Sequence, residues 1–245
     1  MRLALVHTRY QLLETVRVPI AVVGSAFFPT VSMLFFVVPF SGDDPVAATY
    51  ATASMVTFAV MSTNIFQYGI GVAEDRAQPW DPYLRTLPAG PAPRFAGRIT
   101  AGLTMTLLSL IPVVVVAAVA TEARVSAPAF LAALGTVVVV AVPFTLMGLA
   151  IGYALPSKAA TVVAQVVFFP LAFGGGLLFP PDSSPGFITA IAPYLPTRGA
   201  VELMWAAVGD FRINPTSLVM LGVWVVVLAA VAGWAYRRDE GRRFH

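Results

Sequence analysis

The sequence predicts an all-α polytopic membrane protein: six transmembrane helices, an N-terminal interfacial helix, and re-entrant or outer helices between spans five and six. Composition is the first reason. Hydrophobic residues make up 58% of the 245 residues, charged residues only 11%, and the mean hydropathy is +0.82, too apolar for one soluble core to hide. The second reason is length. Apolar runs of about 20 residues, enough to cross a hydrocarbon core of roughly 30 Å, recur along the chain. They lack the alternation of barrel strands, so helices must satisfy the backbone within the bilayer.

From Arg2 to Arg17, Leu3, Val6, Tyr10, Leu13 and Val16 recur at helical spacing with Arg2, Arg9 and Glu14 mostly off the stripe. This predicts an interfacial amphipathic helix over 2–17, its rival being an ordinary topogenic N-terminus. The N-terminus lacks the features of a signal peptide, so the first span is expected to be retained. That span covers about Val18 to Phe40 and stops at the polar turn Ser41-Gly42-Asp43-Asp44-Pro45. The second, about Ala47 to Gly69, is the most polar. At 100° per residue Thr49, Thr52, Thr57, Thr63, Asn64 and Gln67 share an arc of roughly 140°. Such a stripe faces protein or water, so it either lines a substrate path or packs against neighbouring helices.

Ala73 to Arg98, AEDRAQPWDPYLRTLPAGPAPRFAGR, is the longest charged interruption of the chain and reads as a loop carrying a short helix. The third span follows over about Ile99 to Ala120, with Pro112 as a candidate kink. The fourth covers about Ala129 to Gly152, where Gly148 and Gly152 form a small-xxx-small pair suited to close packing. The fifth, about Ala159 to Leu178, runs into Gly174-Gly175-Gly176, which loosens its end. From Phe179 to Pro215, prolines punctuate apolar pieces too short to cross, an outer helical cap. The sixth span, about Leu218 to Tyr236, ends at Arg237-Arg238-Asp239-Glu240-Gly241-Arg242-Arg243.

Six spans put both termini on one side. With them lie Arg2, Arg9, Arg17, Arg76, Arg85, Arg94, Arg98, Lys158, Arg237, Arg238, Arg242 and Arg243, 12 of the 15 basic residues; Arg124, Arg198 and Arg212 lie opposite. This asymmetry predicts cytoplasmic termini and a cytoplasmic Ala73 to Arg98 loop. The basic residues flank spans and form no single patch, so the net charge of +3 reflects topology, not nucleic-acid binding. No repeat divides the chain, and residues 1–245 are treated as one membrane domain.

Several chemistries lack their residues. There is no cysteine, and His7 and His245 sit at opposite ends, so a zinc or haem site would need carboxylates. The only lysine, Lys158, stands in Pro-Ser-Lys-Ala, so no phosphate-binding Gly-x-x-x-x-Gly-Lys exists and any energy from ATP must come from another subunit. The predicted span centres carry no ionisable group of the kind that couples ions in secondary transporters, and no nucleophile meets a base for an intramembrane hydrolase. Glu202, in GAVELMWAAVG, is the one carboxylate in an apolar setting. It is either a gate or substrate contact, or a carboxylate satisfied by Arg198 four residues earlier on a helix.

In the loop, Glu74-Asp75-Arg76 precede Trp80, Tyr83, Leu84 and Leu87, then Pro88, then Gly97-Arg98. Farther on, Gly174-Gly175-Gly176 leads through Pro180-Pro181 to Pro193 and Pro196. On these motifs, and on its span order, the whole chain resembles the type-2 family of ABC export permeases, six-span subunits that dimerise and bind separate ATPases. A glycine common after the family's charged cluster is replaced by Ala77-Gln78-Pro79, which leaves the start of the coupling helix open; its core is expected at Trp80 to Leu87. The aromatic and aliphatic side chains of that helix suit an interface anchor, steered by Arg76 and Arg85; the other reading is a juxtamembrane helix in the interfacial aromatic belt.

The resemblance implies a bacterial plasma-membrane exporter subunit, itself no enzyme, with ATP and Mg on its ATP-binding partner and a second permease copy or a related permease beside it. The cargo would be an amphiphilic drug or antibiotic, a lipid or a glycan. The stripe Thr49, Thr52, Thr63, Asn64 and Gln67, with Phe168, Phe169 and Phe173 of span five, would line the path, and Arg198 and Glu202 would form an outer gate. The alternative is a non-transporting scaffold or assembly subunit in the membrane.

Overall fold

The computed structural model describes residues 27–79, 91–179, 181 and 184–242. Among these the protein is all-α: α1 (Phe27–Ser41), α2 (Pro45–Ala77), α3 (Pro91–Ala120), α4 (Ala127–Ala154), α5 (Ser157–Gly174), α6 (Gly186–Ile191), α7 (Pro196–Val208) and α8 (Pro215–Arg242). Five of them, α2, α3, α4, α5 and α8, are long and apolar enough to cross a membrane. The chain is therefore a polytopic membrane protein. The expected interfacial helix 2–17 and the first part of the span from Val18 lie outside the described residues.

Local chemistry sets the helix ends. Asp44 caps α2, its carboxylate accepting from Val46 N (2.8 Å) and Ala47 N (3.0 Å), with Pro45 next in line. The helix stops at Ala77 because Pro79 pushes Gln78 to an extended ψ of 140°. Leu155 before Pro156 ends α4 in the same way, at ψ 152°. In α1 the turn Met33–Val37 is a π-helix, placed just before Pro39, which cannot donate to the ladder. The Gly174-Gly175-Gly176 run closes α5: Gly176 adopts φ +78°, its N–H donates to Phe173 O (3.0 Å) and Leu177 N donates to Ala172 O (3.1 Å). This is a Schellman cap, and the left-handed residue it requires favours glycine. Both α3 and α4 run through their internal prolines, Pro112 and Pro143.

The charged interruption forms a shorter connection than Ala73 to Arg98 suggests, because α2 persists through Ala77 and α3 already begins at Pro91. Helical hydrogen bonding tolerates Glu74-Asp75-Arg76 at the end of α2, where the side chains reach water or partners, and Pro91 suits a first helical position.

Helix α2 is the hub, packing most extensively on α4 and also against α3, α5 and α7; α8 packs on α4. Glycines make the α2–α4 seam close: a Cβ on Gly152 would stand 2.5 Å from the Tyr68 carbonyl oxygen, and one on Gly148 would stand 2.7 Å from that of Asn64. The bundle has two chemically different ends. One joins the 41–49 turn to Glu122 and Arg124, with α7 and the start of α8. The other gathers the ends of α2, α4 and α8 with the start of α3.

Because neither backbone can retreat, Gly152→Ala should lower stability by about 1–3 kcal/mol through overpacking. Gly135, where an added methyl would meet nothing within 4 Å, should accept alanine without loss. Thermal melting of the two variants in the same detergent separates them.

Candidate functional site

Thr49, Thr57, Thr63 and Asn64 of the second-span stripe are buried inside one chain, where their side chains find hydrogen-bond partners. Asn64 Nδ2 donates to Val60 O (2.7 Å) and Thr106 Oγ1 (3.1 Å), while its Oδ1 accepts from Thr145 Oγ1 (2.8 Å). The Thr63 hydroxyl bonds Ser109 Oγ at 3.0 Å. Thr57 and Thr52 return to the helix carbonyls of Ala53 and Ala48. Thr49 bonds Pro45 O (2.7 Å) and meets both the N–H and the carbonyl of Arg124 (3.0 and 3.2 Å). Through Thr49, Thr63 and Asn64 the stripe clips α2 to α3, α4 and the 121–126 turn. Thr52 and Gln67 are half-buried.

The fifth-span phenylalanines divide. Phe168 is buried, its ring centroid 5.0 Å from that of Phe58 and 5.1 Å from that of Phe66, and it fastens α5 to α2. Phe169 and Phe173 point outward, 42% and 49% exposed. Gln165 stands one helical turn before them on the same exposed face, with no hydrogen-bond partner among the described residues. An amide on the outside of a spanning helix needs protein or water. It was legible as the polar member of an i, i+4, i+8 series with the two phenylalanines, a signal overshadowed by the richer stripe of α2.

Glu202 is 1% exposed and fully engaged. Oε1 accepts from Arg198 Nε (2.6 Å) and Ser217 Oγ (3.2 Å), and Oε2 accepts from Asn214 N (2.9 Å). The Arg198 guanidinium also lies over the Trp205 ring, 4.9 Å from its centroid. Trp205 in turn donates to Tyr50 O (3.1 Å) and Ser54 Oγ (2.9 Å) of α2. The i, i+4 pair suggested by the sequence is formed, and it joins α7 to the start of α8. Its surroundings are those of a pin between elements.

At the opposite end, Glu74, Asp75 and Arg76 take three different positions. Glu74 is exposed. Asp75 is ion-paired to Arg98, so the two helices flanking the 78–90 connection are tied at its base. Arg76 turns into the bundle, donating to Gly152 O (2.6 Å) and Leu155 O (3.1 Å) at the end of α4 and to the carboxylate of Asp239 in α8. The Asp239 side chain is 4% exposed. Tyr153 and Tyr236 stack edge-on beside it, 5.2 Å between centroids, and Tyr236 donates to Glu240. Charge alone did not reveal this role for Arg76, since two of its acceptors are backbone carbonyls and the third lies 163 positions away. Trp80, Tyr83, Leu84, Leu87 and Pro88 lie outside the described residues.

The family model for the ABC-2 type transporter matches residues 3–208. The chain belongs to the ABC-2 type transporter family. The permease is also similar to a Bacillus subtilis (strain 168) protein named "Putative transport permease YvfS", with 21% identity over 187 residues, 76% of each chain. This membership makes the protein a membrane permease subunit of an ABC transporter, a class that works with an ATP-binding subunit. Among the described residues no group of three His, Cys, Asp or Glu is placed to hold a metal.

Glu202→Leu should strand the Arg198 guanidinium and uncap the Asn214 amide, lowering stability by about 3 kcal/mol. A fall in melting temperature that Arg198→Met in the same chain partly reverses is the expected double-mutant signature.

Proposed function

We propose that the permease is the membrane half of an exporter in the bacterial plasma membrane, moving an amphiphilic drug, lipid or glycan out of the cytoplasm or inner leaflet by ATP-driven alternating access. The observation that carries this reading is the ABC-2 match across residues 3–208 in a chain with no ATP-binding motif of its own. The 12 to 3 distribution of basic residues supports cytoplasmic termini and a cytoplasmic 78–90 connection. ATP and Mg belong to the separate subunit, which docks on Trp80 to Leu87 through Trp80, Tyr83, Leu84 and Leu87, with Glu74 beside them.

The path forms where two permeases, identical or related, face one another. Gln165, Phe169 and Phe173 support this placement, because they offer an amide and two rings on an outward face of α5. Aromatic rings with a few hydrogen-bonding groups suit an amphiphile, and Gln67 adds a half-buried amide from α2. Thr63 and Asn64 contribute rigidity behind that surface.

Leu84→Asp places a charge in the proposed docking helix. The expected result is loss of ATP-binding subunit on co-purification, at least about tenfold as for an interface anchor, with membrane insertion unchanged. Retention of the subunit at the wild-type ratio would sink the docking site, and a transporting preparation free of any ATPase would sink the exporter reading.

A further inference from the structure

The pairing of Arg76 with α4 and α8 has a consequence for how a displacement of the 78–90 connection would spread. Arg76 sits on the last turn of α2, three residues before Pro79 breaks the chain direction. Its guanidinium bridges two carbonyls at the C-terminal end of α4, Gly152 O at 2.6 Å and Leu155 O at 3.1 Å, and the nearly buried carboxylate of Asp239 in α8. The α4 carbonyls are among those a helix end leaves without intrahelical partners and carry its negative dipole end, so a cation is favoured there by hydrogen bonding and by charge. A planar fork can serve several acceptors at fixed angles, which a lysine cannot reproduce.

Helix α4 packs along both α2 and α8, and the glycine seam leaves the α2 and α4 backbones no room to slide. By contrast α3 and α5 are held chiefly by α2, α3 through the Asn64 and Thr63 bonds and α5 through the Phe168 cluster. Asp239 lies beyond the segment matched by the family model, 3–208, so the rivet joins the family segment to the last helix.

We infer that Arg76 is a positioning residue that rivets the charged ends of α2, α4 and α8 into one body, so that a force applied to the 78–90 connection moves the three helices together. This rests on the permease being driven by an ATP-binding subunit through that connection. Asp75 and Arg98, at the base of the same connection, form a more exposed pair, with side chains 52% and 22% exposed. That pair is screened and weak, so α3 follows the body less rigidly than α4 and α8.

The chain contains no cysteine, which allows nitroxide labels at Ala77→Cys and Arg237→Cys, both exposed positions at the ends of α2 and α8. Dipolar coupling is measured in the complex with its ATP-binding subunit, nucleotide-free and trapped with ATP and vanadate. The labelled permease is diluted with unlabelled permease so that only the distance within one chain is read, and with Arg76 present that distance should be single and the same in both states. In Arg76→Leu the population outside that range should rise at least about fivefold, the lower end of ordinary coupling energies, and more in the trapped state. Asp239→Asn keeps an acceptor oxygen and should give an intermediate spread, so the inference remains testable if the leucine variant fails to fold. A nucleotide-dependent distance with Arg76 present, or variants whose distributions match it, would overturn the rivet. A chain that captures no ATP-binding subunit would overturn the driven-permease reading instead.

Discussion

The contact on which the molecule depends is the close approach of α2 and α4. In lipid no hydrophobic gain drives two apolar helices together, so their association rests on packing and on polar groups that find partners. Gly148 and Gly152 bring the backbones near enough for side chains of one helix to lie against the carbonyls of the other. Asn64 can then use both ends of its amide at once, reaching Thr145 on α4 and Thr106 on α3. Remove the close approach, and the amide would be left with a buried group unpaired, which costs more than the bond itself returns.

From that seam the rest of the bundle is hung in two ways. Helices α3 and α5 attach through single faces of α2, one by hydroxyls and an amide, the other by interlocked phenyl rings. Helices α7 and α8 attach through ions and indoles: Glu202 binds the start of α8, Trp205 reaches back to Tyr50 and Ser54, and Asp239 meets Arg76 at the far end of the same helix. Helix α8 is therefore pinned near both ends by charge-assisted contacts, while much of its middle faces outward with exposed Val223, Val226 and Val231.

The two ends also differ in what they can exchange with their surroundings. The Glu202 cluster has its oxygens occupied by Arg198, Ser217 and the Asn214 amide and joins α7 to the start of α8. The outward face of α5 is open, with Gln165, Phe169 and Phe173 in one line. A transport path assembled between subunits would draw on that face, with the hydroxyl stripe of α2 as its stiff backing.

Hydropathy, helix-breaking prolines and charge asymmetry were enough to read the all-α class, the membrane environment and most span positions, because these depend on transfer of whole segments from water to lipid and on local backbone rules. The ion pair of Glu202 with Arg198 was readable for the same reason, since four residues on a helix fix the geometry. What only the tertiary structure decided depends on which helices are neighbours. The polar stripe of α2 turned out to meet Thr106, Ser109 and Thr145, and the glycine run of α5 formed a cap with positive φ at Gly176. Arg76, one of three charges in a row, was the one drawn inward, because the carbonyls of Gly152 and Leu155 and the carboxylate of Asp239 come together there only once α2, α4 and α8 are packed. Linear spacing carries no record of such convergence, since backbone acceptors are the same at every residue and only the fold leaves particular ones without a partner.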